Sequence, residues 1–184
     1  MNPAANLILV GPTGAGKSCI GRRLAEHYGL RLVDLDRAIE QCTGAAIPVI
    51  FDCEGEAGFR ARESAALADA LSGKGPAENG MVLAVGAGAV LDRDNRRLMR
   101  EGGFVVHLQV TPDQQLSRLA HDTTRPLLQR EDREVVLQAM AVERGPLYAE
   151  MADLAFDTGG LDSGAATKAL LKRLDEEWKR MEPA

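Results

Sequence analysis

Gly11-Pro12-Thr13-Gly14-Ala15-Gly16-Lys17-Ser18 decides the reading of this chain, because it satisfies the phosphate-binding pattern G-x-x-x-x-G-K-S/T at every required position. Its surroundings agree. Leu7-Ile8-Leu9-Val10 is an apolar run of strand character, and from Cys19 to Tyr28 the residues Ile20, Leu24 and Ala25 recur at helical spacing. Strand, glycine loop and helix are the context the pattern needs. Glycines at 11, 14 and 16 allow tight turns that aim successive N–H groups at phosphate oxygens, with the positive end of the helix behind them. Nucleotide contacts are then expected from Gly14, Ala15, Gly16, Lys17, Ser18 and Cys19, with Lys17 at the β- and γ-phosphates and the Ser18 hydroxyl on Mg²⁺. ATP and Mg²⁺ are the implied cofactors.

Composition narrows the partners. At 184 residues with 45% hydrophobic content, the chain suits one domain with a substantial core. The net charge of −5 is spread among interspersed acids and bases, which argues against nucleic acid as a partner. Cys19, Cys42 and Cys53 have no metal or redox spacing and are expected to be reduced thiols. No apolar run approaches the roughly 18 residues that cross a bilayer, and Met1-Asn2-Pro3-Ala4-Ala5 lacks the basic start of a signal peptide. A cytoplasmic protein without membrane partners is expected. His27, His107 and His121 show no ligand spacing and are assigned no chemistry, and Trp178 no role.

Beyond the loop, strand patterns at 6–10, 31–34, 81–85, 104–110 and 153–156 alternate with helical patterns at 17–28, 57–72, 93–101, 112–120, 131–151 and 163–180. Alternation of this kind predicts an α/β fold, a three-layer sandwich whose five-stranded parallel sheet is covered by helices on both faces. Ligands should gather at the carboxyl ends of the strands. Two stretches exceed ordinary connections. About 37–63 contains short helical signals, including Ile47-Pro48-Val49-Ile50-Phe51, and reads as a helical insert that binds substrate; about 119–132 is polar, carries Arg125-Pro126 and Arg130, and reads as a lid.

The strands also exclude functions. Met81 to Val85 runs into Gly86, Phe104 to Val110 holds no carboxylate, and no N-K-x-D occurs, so motor ATPases and GTPases are unsupported. The acidic candidates are Asp34 and Asp36, in Leu32-Val33-Asp34-Leu35-Asp36. They follow the second strand, period-two spacing puts both on one face, and if this strand lies beside the first both project near the glycine loop, one for magnesium-bound water and one for a substrate hydroxyl. The bland alternative makes Asp36 a helix N-cap.

With Asp34-Leu35-Asp36, Phe59-Arg60-Ala61-Arg62-Glu63, Gly86-Ala87-Gly88-Ala89-Val90, Arg125-Pro126-Leu127-Leu128 and Arg144-Gly145-Pro146-Leu147-Tyr148 following the glycine loop in order, the chain resembles the shikimate kinases over nearly its whole length. The resemblance implies phosphorylation of the 3-hydroxyl of shikimate by MgATP, on the route to chorismate and the aromatic amino acids, by a monomeric enzyme. It also implies roles. Arg60 and Arg144 hold the shikimate carboxylate, Asp36 accepts from ring hydroxyls at the attacking oxygen, and Gly86, Ala87 and Gly88 line the substrate. Arg125 closes over the transferring phosphoryl group, Arg118 stacks on adenine, and Asp34 joins Ser18 at the metal. Lys17, Asp36 and Arg125 are the expected catalytic set.

One departure stands out. The family's triple glycine is Gly86-Ala87-Gly88 here, and a methyl at 87 is harmful only if it crowds the substrate or if that position needs a left-handed backbone. Other acceptors remain open, namely a gluconate-type or nucleoside monophosphate kinase, as does a non-catalytic metabolite sensor on the same fold.

Overall fold

The structure, a computed structural model, describes residues 5–72, 80–120 and 132–179. Five strands form one parallel sheet: β1 (Leu7–Val10), β2 (Arg31–Asp34), β3 (Met81–Ala84), β4 (Phe104–Gln109) and β5 (Leu154–Asp157), in the order β2-β3-β1-β4-β5. Parallel pairing puts Leu9 beside Ala84 and Val106, and Val10 beside His107. The order brings the ends of β2, β3 and β4 around the end of β1, where the glycine loop begins.

Among the described residues seven α-helices connect and cover the strands: α1 (Lys17–Tyr28), α2 (Leu35–Thr43), α3 (Ile47–Leu71), α4 (Arg93–Gly102), α5 (Pro112–Arg118), α6 (Arg133–Met151) and α7 (Ser163–Glu177). Because strand side chains alternate between faces, the core divides in two. Leu7, Leu9, Phe104, Val106 and Leu108 pack with Leu24 of α1 and Leu170 and Leu174 of α7. Ile8, Val10, Leu83 and Val105 face the other way, against Ile39, Phe59, Leu67, Met99 and Tyr148 from α2, α3, α4 and α6. This is the expected three-layer sandwich. Each fully buried leucine or isoleucine contributes roughly 1.5–3 kcal/mol over its exposed state.

Trp178 closes the α7 side at the end of the layer remote from the glycine loop. Its ring lies edge-on to Tyr28, the last residue of α1, at 5.1 Å, and 6.4 Å from Phe104, the first of β4.

Two expectations are corrected. The second strand ends at Asp34 as expected but does not lie beside the first, because β3 pairs between β2 and β1; Asp34 caps α2, its carboxylate accepting from the Arg37 N–H. Asp36 therefore sits in the first turn of a helix, and the two carboxylates share a strand-to-helix junction rather than one pleat face. The helix expected at 57–72 begins ten residues earlier, at Ile47, with Pro48 tolerated in its first turn. Gly55, at φ 69° and ψ −177°, breaks it into two segments, a backbone state that side chains other than hydrogen rarely adopt. Across the break Arg62 clasps Glu54 with two hydrogen bonds, at 2.8 and 2.7 Å. Of the expected lid, residues 121–131 with Arg125 lie outside the described residues.

Candidate active site

At the end of β1 the chain enters the loop through Gly11, where φ is 143° and an added Cβ would collide with the Leu108 carbonyl of β4. Gly14 and Gly16 also take positive φ, Gly16 as the N-cap of α1, so the loop turns through conformations that favour glycine. No acidic residue occupies the first turn of α1, and the positive end of the helix is left for an anion. Lys17 Nζ donates to the Gly11 carbonyl at 2.7 Å and to the Pro12 carbonyl at 2.9 Å, which folds its ammonium over the loop. Gln115 of α5, almost fully buried, donates to the Thr13 carbonyl at 2.8 Å and fixes the loop from outside.

Ser18 donates its hydroxyl to Asp34 Oδ2 at 2.5 Å. One hydroxyl and one carboxylate at the helix start are oxygen ligands of the kind Mg²⁺ takes when it keeps most of its waters and phosphate contacts. The donor set fits that ion. Among the described residues no group of three or more His, Cys, Asp or Glu side chains could hold a metal, so a dedicated protein cage is not what these residues build.

Arg118, at the end of α5, is held by three contacts: its guanidinium donates to the Gly14 carbonyl at 3.0 Å and to the Thr158 hydroxyl and carbonyl at 3.0 and 2.6 Å. Thr158 in turn donates to the Gln109 carbonyl at 2.9 Å. The arginine thus presents a fixed plane beside the glycine loop.

The second half of the site forms around Gly86-Ala87-Gly88, which leaves the end of β3. A Cβ on Gly86 would stand 2.5 Å from Glu63 Oε1 and 3.0 Å from Asp36 Oδ1; one on Gly88 would overlap the Arg60 guanidinium. A side chain at either position would therefore displace the Glu63 carboxylate or the Arg60 guanidinium from where they now stand. Neither glycine has positive φ, and among the described residues none other than glycine does. Ala87 therefore has an ordinary backbone, and the condition under which its methyl would strain the loop is not met. Its carbonyl accepts from the Tyr148 hydroxyl at 2.6 Å and from Arg144 Nη1 at 3.4 Å.

Arg60 is set on α3 by Glu63, three residues on, at 2.7 Å, and by Glu56 at 3.2 Å. Burial opposes its charge, but the carboxylates around it leave its pKa raised overall. Glu63 is 1% exposed; burial pushes its carboxyl above the usual range and Asp36 adds to that push, while Arg60 and Arg144 pull it back. The pair carries a further signature. Arg60 Nε and Arg144 Nε are both buried and make no hydrogen bond, although the Glu143 carboxylate stands 3.7 Å from the latter; an unsatisfied guanidinium N–H is costly, and an anion that accepts from it relieves that cost.

Every described residue of the expected site thus falls into one of two neighbouring groups at the strand ends. Gly14 to Cys19, Asp34 and Arg118 gather around the glycine loop. Asp36, Arg60, Gly86 to Gly88 and Arg144 gather around the end of β3. Cys19 is exposed beside Ser18.

A family model described as shikimate kinase matches residues 13–175. The chain is 53% identical over 182 residues to the shikimate kinase of Stenotrophomonas maltophilia strain R551-3, covering 99% of this chain and 98% of that one. The chain belongs to the shikimate kinase family. It is also 52% identical to the shikimate kinase of Xanthomonas campestris pv. campestris strain 8004 over 97% of both chains. The fold matches a solved structure, that of shikimate kinase from Acinetobacter baumannii in complex with shikimate, with a TM-score of 0.86 and 40% identity over 95% of both chains. The kinase uses ATP as its phosphoryl donor.

Sequence reasoning passed over several residues that shape this kinase's site. Tyr148 stood in a quoted motif without a role, and Gln115, Thr158 and His107 had none, because a lone polar residue in a helix, loop or strand gives no signal until the fold shows what it touches.

Proposed function

We propose that the kinase transfers the γ-phosphoryl group of MgATP to the 3-hydroxyl of shikimate, giving shikimate 3-phosphate and ADP, as a step toward chorismate and the aromatic amino acids. The observation that carries this reading is the convergence of Asp36, Arg60 and Arg144 on the single loop Gly86–Gly88, with two buried guanidinium N–H groups that make no hydrogen bond. A hydroxylated ring with one carboxylate matches that set.

The carboxylate is received by Arg60 and Arg144 through charge-assisted hydrogen bonds. Asp36 accepts from the ring hydroxyl that attacks. The hydroxyl oxygen forms its bond to the γ-phosphorus as the bond to the bridging oxygen of ADP breaks, and the hydroxyl proton passes to Asp36 or to water. Because the transition state is loose, positioning by Asp36 counts for more than early proton removal. Lys17 spreads the charge at the β- and γ-phosphates. Ser18 and Asp34 would hold Mg²⁺, which neutralises phosphate charge. Arg118 supports the adenine, and Arg125 completes the phosphoryl site from the lid at about 119–132; the insert at about 37–63 carries the acceptor side of this single domain. We place the kinase in the cytoplasm as a monomer; no described helix is long and apolar enough to cross a membrane.

The test is ADP release from MgATP with shikimate, gluconate, quinate or AMP as acceptor. Turnover with shikimate alone is expected. Faster turnover with another acceptor would move the specificity away from the carboxylate arginines and overturn the assignment.

A further inference from the structure

His107 is a buried titratable residue, 7% exposed, that no role above absorbs. It lies on β4 opposite Val10, one residue before the Leu108 carbonyl that abuts Gly11. Its ring stacks on Tyr148, with centroids 4.9 Å apart and planes 29° from parallel. Tyr148 is anchored through its hydroxyl to the Ala87 carbonyl, the same atom that receives Arg144. The imidazole Nδ1 is buried without a hydrogen-bond partner. A polar ring that satisfies no hydrogen bond there contributes chiefly through its face.

We infer that His107 is a positioning residue for the reaction, holding Tyr148, and through it the Ala87 carbonyl and Arg144, in register with the glycine loop. The inference rests on the shikimate reading above. A chain of contacts supports it: from Lys17 to the Gly11 carbonyl, from Gly11 to the β4 backbone beside His107, and from the His107 ring through Tyr148 to Ala87 and Arg144. The ring is the one aromatic member of this chain on β4, between the anion-binding loop and the carboxylate arginine. Burial, and after it the charge of Lys17, keep it neutral by lowering its pKa to about 4, so at neutral pH it adds no competing cation to either half.

Two substitutions separate the ring face from its bulk. His107→Phe keeps the plane against Tyr148, and His107→Leu fills similar space without it. Steady-state kinetics should show the shikimate KM raised about three- to tenfold in His107→Leu, with the MgATP KM within about twofold, and restored to within about twofold in His107→Phe. Equal changes in both KM values, or failure of phenylalanine to rescue, would overturn the inference. A second measurement needs no variant: the His107 ring resonances of the unmodified kinase, followed by NMR, should shift on adding shikimate without nucleotide. A ring indifferent to shikimate is only a core residue, and the inference fails. Absence of turnover by the unmodified enzyme would strike the shikimate assignment and this inference with it, whereas turnover with a His107 ring indifferent to shikimate strikes the inference alone.

Discussion

At positions 86 to 88 backbone spacing does the work of side chains. Gly86 and Gly88 leave room for Glu63, Asp36 and Arg60, while Ala87 turns its carbonyl toward Tyr148 and Arg144. The expected outcomes are opposite in kind. Ala87→Gly should leave the shikimate KM within a factor of about two or three, because the position needs no left-handed backbone; Gly88→Ala should raise it at least about tenfold, because the methyl displaces the Arg60 guanidinium. A tenfold gain from Ala87→Gly, measured by initial rates, would mean that the alanine methyl has remodelled the acceptor pocket. At the same loop, Arg144→Ala removes a charge-assisted contact of roughly 1.5–3 kcal/mol, so the shikimate KM should rise about ten- to a hundredfold with the MgATP KM nearly unchanged. Equal losses for both substrates would refute the carboxylate role.

Between residues and fold stands the junction of β2 and α2, where Asp34 does two jobs. It caps the helix through the Arg37 N–H and it accepts from Ser18. An asparagine still caps a helix but carries no charge. Asp34→Asn should therefore leave the thermal midpoint nearly unchanged and raise the Mg²⁺ concentration needed for half-maximal rate, while Asp34→Ala should also lower the midpoint. Unaltered Mg²⁺ dependence in Asp34→Asn would remove Asp34 from the metal site. The break at Gly55 is the other feature at this scale. A helix running straight from Ile47 to Leu71 would carry Ile50 and Phe51 along the α3 axis, whereas the break lets Phe51 stack on Phe59 at 4.6 Å and joins the insert to the second core. Gly55→Ala should destabilise the fold by about 1 kcal/mol, since alanine pays for positive φ, read as a shift in the urea midpoint.

For the molecule as a whole, acid is the informative variable. His107 has a native pKa of about 4 against an ordinary value of 6.5, so below pH 6.5 the unfolded chain takes up a proton that the native chain refuses. Stability is therefore lost as pH falls from about 6.5 to 4, by up to about 3 kcal/mol from this residue. Urea unfolding at pH 7 and 4.5 should show a larger acid loss in the unmodified protein than in His107→Phe, by about 2 kcal/mol; matching losses would place the titration elsewhere. Much of this architecture was legible beforehand. The five strands read as short apolar runs because a parallel sheet buries both faces, and the glycine loop declares itself because its chemistry is a property of the backbone. What stayed hidden depends on distance rather than local pattern. Nothing in Leu32 to Asp36 says that Asp34 rather than Asp36 caps the helix that follows, since the hydrogen bond from the Arg37 N–H decides it. Nothing in Phe104 to Gln109 says that one histidine among apolar neighbours faces Tyr148, some forty positions on.

Trp178, the sole tryptophan, is packed between Tyr28 and Phe104 at the amino-terminal edge of the sheet, whereas both halves of the site lie at the carboxyl-terminal edge. The molecule's intrinsic fluorophore is thus a reporter of folding that is nearly blind to ligands. Emission should follow denaturation closely and stay almost constant on saturation with nucleotide or shikimate, and an optical binding assay will need a second indole introduced beside the glycine loop.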